Sequence, residues 1–200
     1  MLKKLFTAVL ILLICITAQA QDDKGENIKP FRIGAKIGVP NIVGGNVEYV
    51  FGKRIALYAD YSAYSGDFDD VAVSFNFFEI GTNIYFKTTG KGFYGSFSYS
   101  SFSIDGTYSD AQTIGGQTFT GEATGDLEIN TINAKLGLKL GRSFFFRTEV
   151  GYGFGDVPDE IVITGNVNGV SATGTEEIPD IPGISSSGLL IFNIGFGIAF

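Results

Sequence analysis

Nine charged residues recur at alternate positions of otherwise small or apolar segments. They are Arg32 and Lys36, Glu48, Asp60, Glu79, Lys135 and Lys139, and Arg147 and Glu149. Alternate residues of a β-strand share a face, so within each segment these side chains project the same way. Five bases and four carboxylates brought into one space could perform carboxylate acid–base chemistry, pass an ion, or neutralise one another as a polar plug. The chain has no His, the side chain most often used as catalytic base or acid. It has no nucleophile elbow and no P-loop. Its one cysteine, Cys15, falls in an N-terminal leader, so no disulfide, thiol nucleophile or thiolate metal site is expected beyond it. Asp67, Asp69 and Asp70 are spaced closely enough to share a hard cation, but they lack the loop length and downstream Glu of an EF-hand. A solvated acidic tip is the plainer reading of these three. No enzyme activity, cofactor or metal is expected.

Eight segments with a two-residue period would position these groups. In the first, Phe31 to Val39, the face of Phe31, Ile33, Ala35, Ile37 and Val39 opposes that of Arg32, Gly34, Lys36 and Gly38. The others run from Asn46 to Phe51, Ile55 to Tyr64, Phe78 to Phe86, and Phe93 to Ser100. They continue with Ile132 to Leu140, Phe144 to Phe154, and Leu190 to Phe200. In every one, bulky apolar residues take one face, while Gly, Ser, Asn, Tyr and the nine charges take the other. Tight turns are expected at Gly52, Gly90 and Gly141, with longer connections at 66–74, 105–126 and 156–187. Gly115-Gly116 and Asn168-Gly169 are two-residue hairpin signals, so strands five and six, and seven and eight, are expected to continue as hairpins.

Eight antiparallel segments close into a barrel, and either a soluble or a membrane barrel shows this alternation. Volume separates the two. The interior of an eight-stranded barrel is only just filled by side chains. The Phe, Leu and Ile face is too bulky for it, so the small, charged face must be the lumen and the bulky face must meet lipid. The predicted fold is therefore all-β, an eight-stranded antiparallel up-and-down transmembrane β-barrel. Phe31, Phe51, Phe86, Phe93, Phe144 and Phe200 then fall at one end on the lipid face, as an aromatic girdle does. The long connections contain many Asp and Glu and no Lys or Arg. The lumen of so narrow a barrel leaves no aqueous channel once filled, so Arg32, Lys36, Glu48, Asp60, Glu79, Lys135, Lys139, Arg147 and Glu149 are expected to interlock as a plug. Asn83, Tyr85, Asn133 and Asn193 would complete their hydrogen bonds.

Residues 1–20 read as a secretory signal: Lys3 and Lys4, an apolar run from Leu5 to Ile16, and an Ala18-Gln19-Ala20 cleavage site. The lipoprotein alternative at Cys15 would need a small residue where Ile14 stands. A tail over 21–30 would lie in the periplasm, and 31–200 would form the barrel. Twelve Lys and Arg remain after the leader against 21 Asp and Glu, which disfavours nucleic acid as a partner.

The terminal segment places Phe196, Ile198 and Phe200 on its bulky face and ends on the aromatic. It resembles the C-terminal strand of bacterial outer-membrane barrels, and the whole chain after the leader is similar in layout to OmpX and the transmembrane half of OmpA. The resemblance implies residence in the bacterial outer membrane and recognition of Phe196, Ile198 and Phe200 by the outer-membrane assembly machinery. It further implies contact with outer-membrane lipid, and an extracellular protein partner for loops 105–126 and 156–187. A structural or interaction role is the leading expectation. A narrow OmpW-like channel for small molecules is the alternative.

Overall fold

The computed structural model describes residues 28–68, 70–114, 117–167, 170–177 and 183–200. The leader and most of the proposed tail, Asp69, Gly115-Gly116, Asn168-Gly169 and Asp180 lie outside the described residues. Seven strands follow one another as β1 (Phe31–Val39), β2 (Ile42–Phe51), β3 (Ile55–Phe68), β4 (Val71–Tyr85), β5 (Gly92–Ile114), β6 (Gln117–Gly141) and β7 (Phe144–Phe154). A small hairpin of β8 (Glu160–Val167) and β9 (Val170–Glu177) comes next, then a two-residue β10 (Ile184–Ser185) and the long β11 (Gly188–Ala199). Strands β1 to β7 pair antiparallel in sequence order, β7 pairs with β11, and β11 pairs with β1. The result is a closed eight-stranded antiparallel barrel. Closure leaves no free edge in the barrel wall. At the seam the Phe31 amide donates to the Phe200 carbonyl at 3.1 Å, and the Phe200 amide returns a bond to Phe31 at 2.9 Å.

Three turns at one end are tight because glycine permits them. Gly52, Gly90 and Gly141 have φ of +62°, +63° and +106°, values that residues with a Cβ rarely adopt. At the other end β3 to β6, 14 to 25 residues long, run on beyond the length a bilayer requires, roughly 9–11 residues. β5 and β6 stay in register from Gly92↔Lys139 to Ile114↔Gln117, so the connection at 105–126 is the hairpin the sequence predicts. The connection at 66–74 is not a loop of that length: β3 and β4 pair as far as Phe68↔Val71. Alternation fails to signal this stretch because Phe75, Phe77 and Phe78 put aromatics on both faces.

The largest difference lies at 156–187. Strands β7 and β11 do not continue together as a hairpin. The β7 edge of β6 ends at Ile132↔Phe154, while β6 itself runs on past that level. Its backbone donors and acceptors there need a partner, and β8 supplies one, pairing Gly121↔Val167 through Gly125↔Ile163. The β8–β9 hairpin thus extends the β5–β6 sheet sideways instead of capping β7 and β11.

Facing outward, Phe31, Phe51, Phe86, Phe144 and Phe200 are exposed at the tight-turn end. Tyr61, Tyr99 and Phe154 are exposed at the far side of the apolar band, giving a second aromatic level that the sequence reading had not picked out. Between them Leu57, Ile80, Leu136, Val150 and Phe196 are also exposed. The hydrophobic surface is on the outside and the charge is on the inside.

Candidate functional site in the barrel interior

The interior is built by alternation on all eight strands, and none of the nine charged residues is more than 5% exposed. They form two nests. In the one nearer the tight turns, Glu48 of β2 is the acceptor. Arg32 Nη1 and Lys139 Nζ both lie 2.5 Å from its carboxylate oxygens. Asn83 Nδ2 donates to Glu48 Oε2 at 2.8 Å, and Tyr85 OH donates to Oε1 at 2.9 Å. The Tyr85 oxygen in turn accepts from Arg32 at 3.0 Å and Lys139 at 2.8 Å. Two cations here share one carboxylate. The remaining charge rests on aromatic faces, with Lys139 5.0 Å from the Phe145 ring centre and 5.5 Å and 5.7 Å from those of Tyr85 and Tyr94. A cation over such a ring is attracted by its quadrupole.

The second nest balances three carboxylates against three bases. Lys36 is bonded to Asp60 and lies 3.2 Å from Glu149 and 3.6 Å from Glu79. Lys135 reaches Glu79 at 2.5 Å and Glu149 at 3.9 Å, and Arg147 reaches Asp60 at 3.4 Å. Neutral donors fill the carboxylates' other lone pairs. Tyr58 OH donates to Glu79 at 2.9 Å, Tyr94 OH donates to Glu149 at 2.8 Å, Ser98 bonds Glu79, and Asn46 bonds Asp60. Burying an ion without such partners would cost several kcal/mol per group.

Buried apolar clusters lie toward both ends of the interior. At the tight-turn end Val50, Ala56, Tyr85 and Tyr94 form a buried cluster with Ile28 packed against it. At the other end Ile129, Val157, Leu189 and Ile191 are buried, with Phe102, Leu127 and Ile184 packed on them. Phe75 and Phe77 are buried on inward positions of the same end. The volume argument from sequence had reserved large apolar residues for lipid, and it missed this inner cap. Val157 comes from the connection after β7, where no strand period marks it.

Glycines make room for the long side chains. A Cβ at Gly137 would stand 2.2 Å from the Tyr94 ring, and one at Gly151 would stand 2.6 Å from Lys135 Cγ. Gly137→Val is therefore expected to push Tyr94 off Glu149. The barrel should lose about 1–3 kcal/mol, the usual cost of overpacking, readable as a lower urea midpoint in detergent micelles.

Among the described residues no group of three or more carboxylate, His or Cys side chains could hold a metal ion. Asp67 and Asp70 end the β3–β4 hairpin with exposed side chains.

An apolar exterior bounded by aromatic levels, around a charged and hydrogen-bonded interior, defines the class: a membrane-spanning β-barrel of the outer-membrane type. No family model matches the sequence, and no curated protein matches it. Among solved structures, Acinetobacter baumannii CarO aligns at a TM-score of 0.47 and 12% identity, over 86% of this chain and 98% of that one. CarO2 of the same organism gives 0.45 and 14%, over 88% and 100%. The N-terminal β-barrel domain of Pseudomonas aeruginosa OprF gives 0.41 and 15%, over 88% and 100%. At these values the likeness is one of fold.

Proposed function

We propose that this protein is a non-conducting, non-enzymatic barrel of the bacterial outer membrane that holds an acidic β-sheet above the membrane for structural or interaction roles. The observation that carries this reading is the layering of the interior. A layer of bases and carboxylates paired with one another lies between two apolar clusters, so an ion would have to break the nests and pass both clusters. The test is conductance of the refolded protein in a planar lipid bilayer. No discrete, reproducible current steps are expected, and steps whose size changes in Lys135→Ala would overturn the reading in favour of a channel.

The external sheet is where a partner would meet the protein. Among the described residues β9 pairs with β8 alone, and an edge strand offers backbone donors and acceptors to an added strand. The segments 105–126 and 156–187 that build this sheet carry acidic side chains and no Lys or Arg. At the membrane, Phe196, Ile198 and Phe200 face outward and are exposed. We assign them the contact with outer-membrane lipid and with the assembly machinery.

A further inference from the structure

The two ends of the barrel carry charge of opposite sign. Among the described residues every Lys and Arg outside the interior lies at the tight-turn end: Lys29, Lys53, Arg54, Lys87, Lys91 and Arg142. No Asp or Glu of the described residues lies there. At the other end the described charges outside the interior are all carboxylates, from Asp67 and Asp70 on the β3–β4 hairpin to Glu176 and Glu177 on β9.

Each connection at the tight-turn end contributes a base. The β2–β3 turn supplies Lys53 and Arg54, the β4–β5 turn Lys87 and Lys91, the β6–β7 turn Arg142, and the segment before β1 Lys29. Backbone hydrogen bonds hold the first two turns side by side. The Gly90 amide donates to the Lys53 carbonyl at 3.2 Å, and the Tyr85 amide donates to the Arg54 carbonyl at 2.7 Å. On the other side of the rim Lys29 Nζ donates to Ser143 Oγ at 2.9 Å, which places Lys29 beside the Arg142 turn. The bases therefore ring the barrel instead of collecting on one strand. Like charges gathered in this way repel one another, and an anionic partner relieves that repulsion.

Depth points to the partner. Lys29, Lys53, Lys87, Lys91 and Arg142 each stand one or two residues from a phenylalanine of the aromatic level, in turn Phe31, Phe51, Phe86, Phe93 and Phe144. Two residues of chain reach at most about 7 Å, so the bases lie just to the aqueous side of these rings. Aromatic levels mark the edge of the hydrocarbon, and the headgroup layer beyond it is roughly 5–8 Å deep on each side. The long stems of Lys and Arg let the charge settle within that layer. The ring is thus continuous with the lipid-facing surface and opposite in charge to a lipid anion.

We propose that this rim binds phospholipid headgroups of net negative charge in the leaflet at the tight-turn end. The proposal goes beyond the sealed-barrel reading and holds whether or not the interior conducts.

The test measures lipid selectivity of the refolded protein in phosphatidylcholine vesicles. Spin-labelled phosphatidylglycerol and spin-labelled phosphatidylcholine, equal in acyl chain, are compared by the fraction that the barrel immobilises in electron paramagnetic resonance spectra. One base near an anionic lipid supplies about fivefold. Only one leaflet meets the ring, so phosphatidylglycerol should be preferred by about threefold averaged over both. At about 1 M salt, where screening acts within about 3 Å, the preference should vanish. Lys53→Gln with Arg54→Gln should lower it, and replacing Lys29, Lys87, Lys91 and Arg142 by Gln as well should abolish it. Heat-modifiable mobility on gels would show that each variant is folded. Asp126→Asn with Glu128→Gln removes as many charges at the other end and should leave the preference unchanged. Equal immobilisation of the two lipids by the parent would overturn the proposal, and sedimentation of the parent with purified peptidoglycan would then move the ring to that anionic polymer. Full preference in folded Lys53→Gln with Arg54→Gln, or any preference surviving in the folded six-site variant, would overturn it equally.

Discussion

Glu48→Ala is expected to cost the barrel about 3–5 kcal/mol, the loss typical when one partner of a buried ion pair is removed. The geometry makes Glu48 the point of the network most sensitive to substitution. Arg32 and Lys139 both lie 2.5 Å from it, and neither has another carboxylate within ion-pair distance among the described residues. Both would be left buried without a carboxylate, with only the Tyr85 hydroxyl to accept from them. Glu79→Ala should cost less, because Lys135 keeps Glu149 at 3.9 Å and Lys36 keeps Asp60 and Glu149. The measurement is urea unfolding in lipid vesicles followed by circular dichroism, since the chain has no Trp to report by fluorescence. The double variant Glu48→Ala with Lys139→Met should recover part of the loss, because one of the two stranded bases is gone. A Glu48→Ala midpoint equal to that of the parent would mean that the lower nest contributes nothing to stability, and the sealed-interior reading would lose its main support.

Leu136→Arg is the second large effect, expected at about 2–4 kcal/mol if the residue lies near the bilayer midplane. Leu136 is 62% exposed and sits on β6 between Leu140 at the tight-turn end and Ile132 at the other. Its neighbour Lys135 is buried on the opposite face. The same folding titration should show Glu128→Arg, exposed on β6 above the membrane, unchanged within about 0.5 kcal/mol, as surface substitutions usually are. Equal, small effects at both positions would argue that the apolar exterior does not face lipid.

These two positions illustrate what was legible in the chain. Lys135 and Leu136 are adjacent; the two-residue period put them on opposite faces, and the volume argument assigned one face to the lumen and the other to lipid. The same rule placed Tyr58, Tyr85 and Tyr94 on the inner face, although only Tyr85 had been given a part in the polar network. What the period could not supply was height. Glu48 and Lys139 come within 2.5 Å across 91 residues of sequence and from strands that are not neighbours in the sheet. Their meeting depends on the stagger between strands, which no single strand records. The inner apolar cap was missed for a related reason. Phe75, Phe77, Ile129 and Ile191 obey the inward parity but break the rule that small residues face in, and that rule holds only where long charged side chains need the space.

The sequence by itself determined the eight strands of the barrel wall, the three tight turns and the face of most wall residues, because a pleated strand separates its side chains by parity and glycine marks the tight turns. Only the tertiary structure decided which acid meets which base, where the buried apolar clusters lie relative to the charged layer, and that the β8–β9 hairpin leaves β7 for β6. Each of these depends on where a strand stops relative to its neighbours. Register and unspent backbone hydrogen bonds fix that level, and both belong to pairs of strands, not to one.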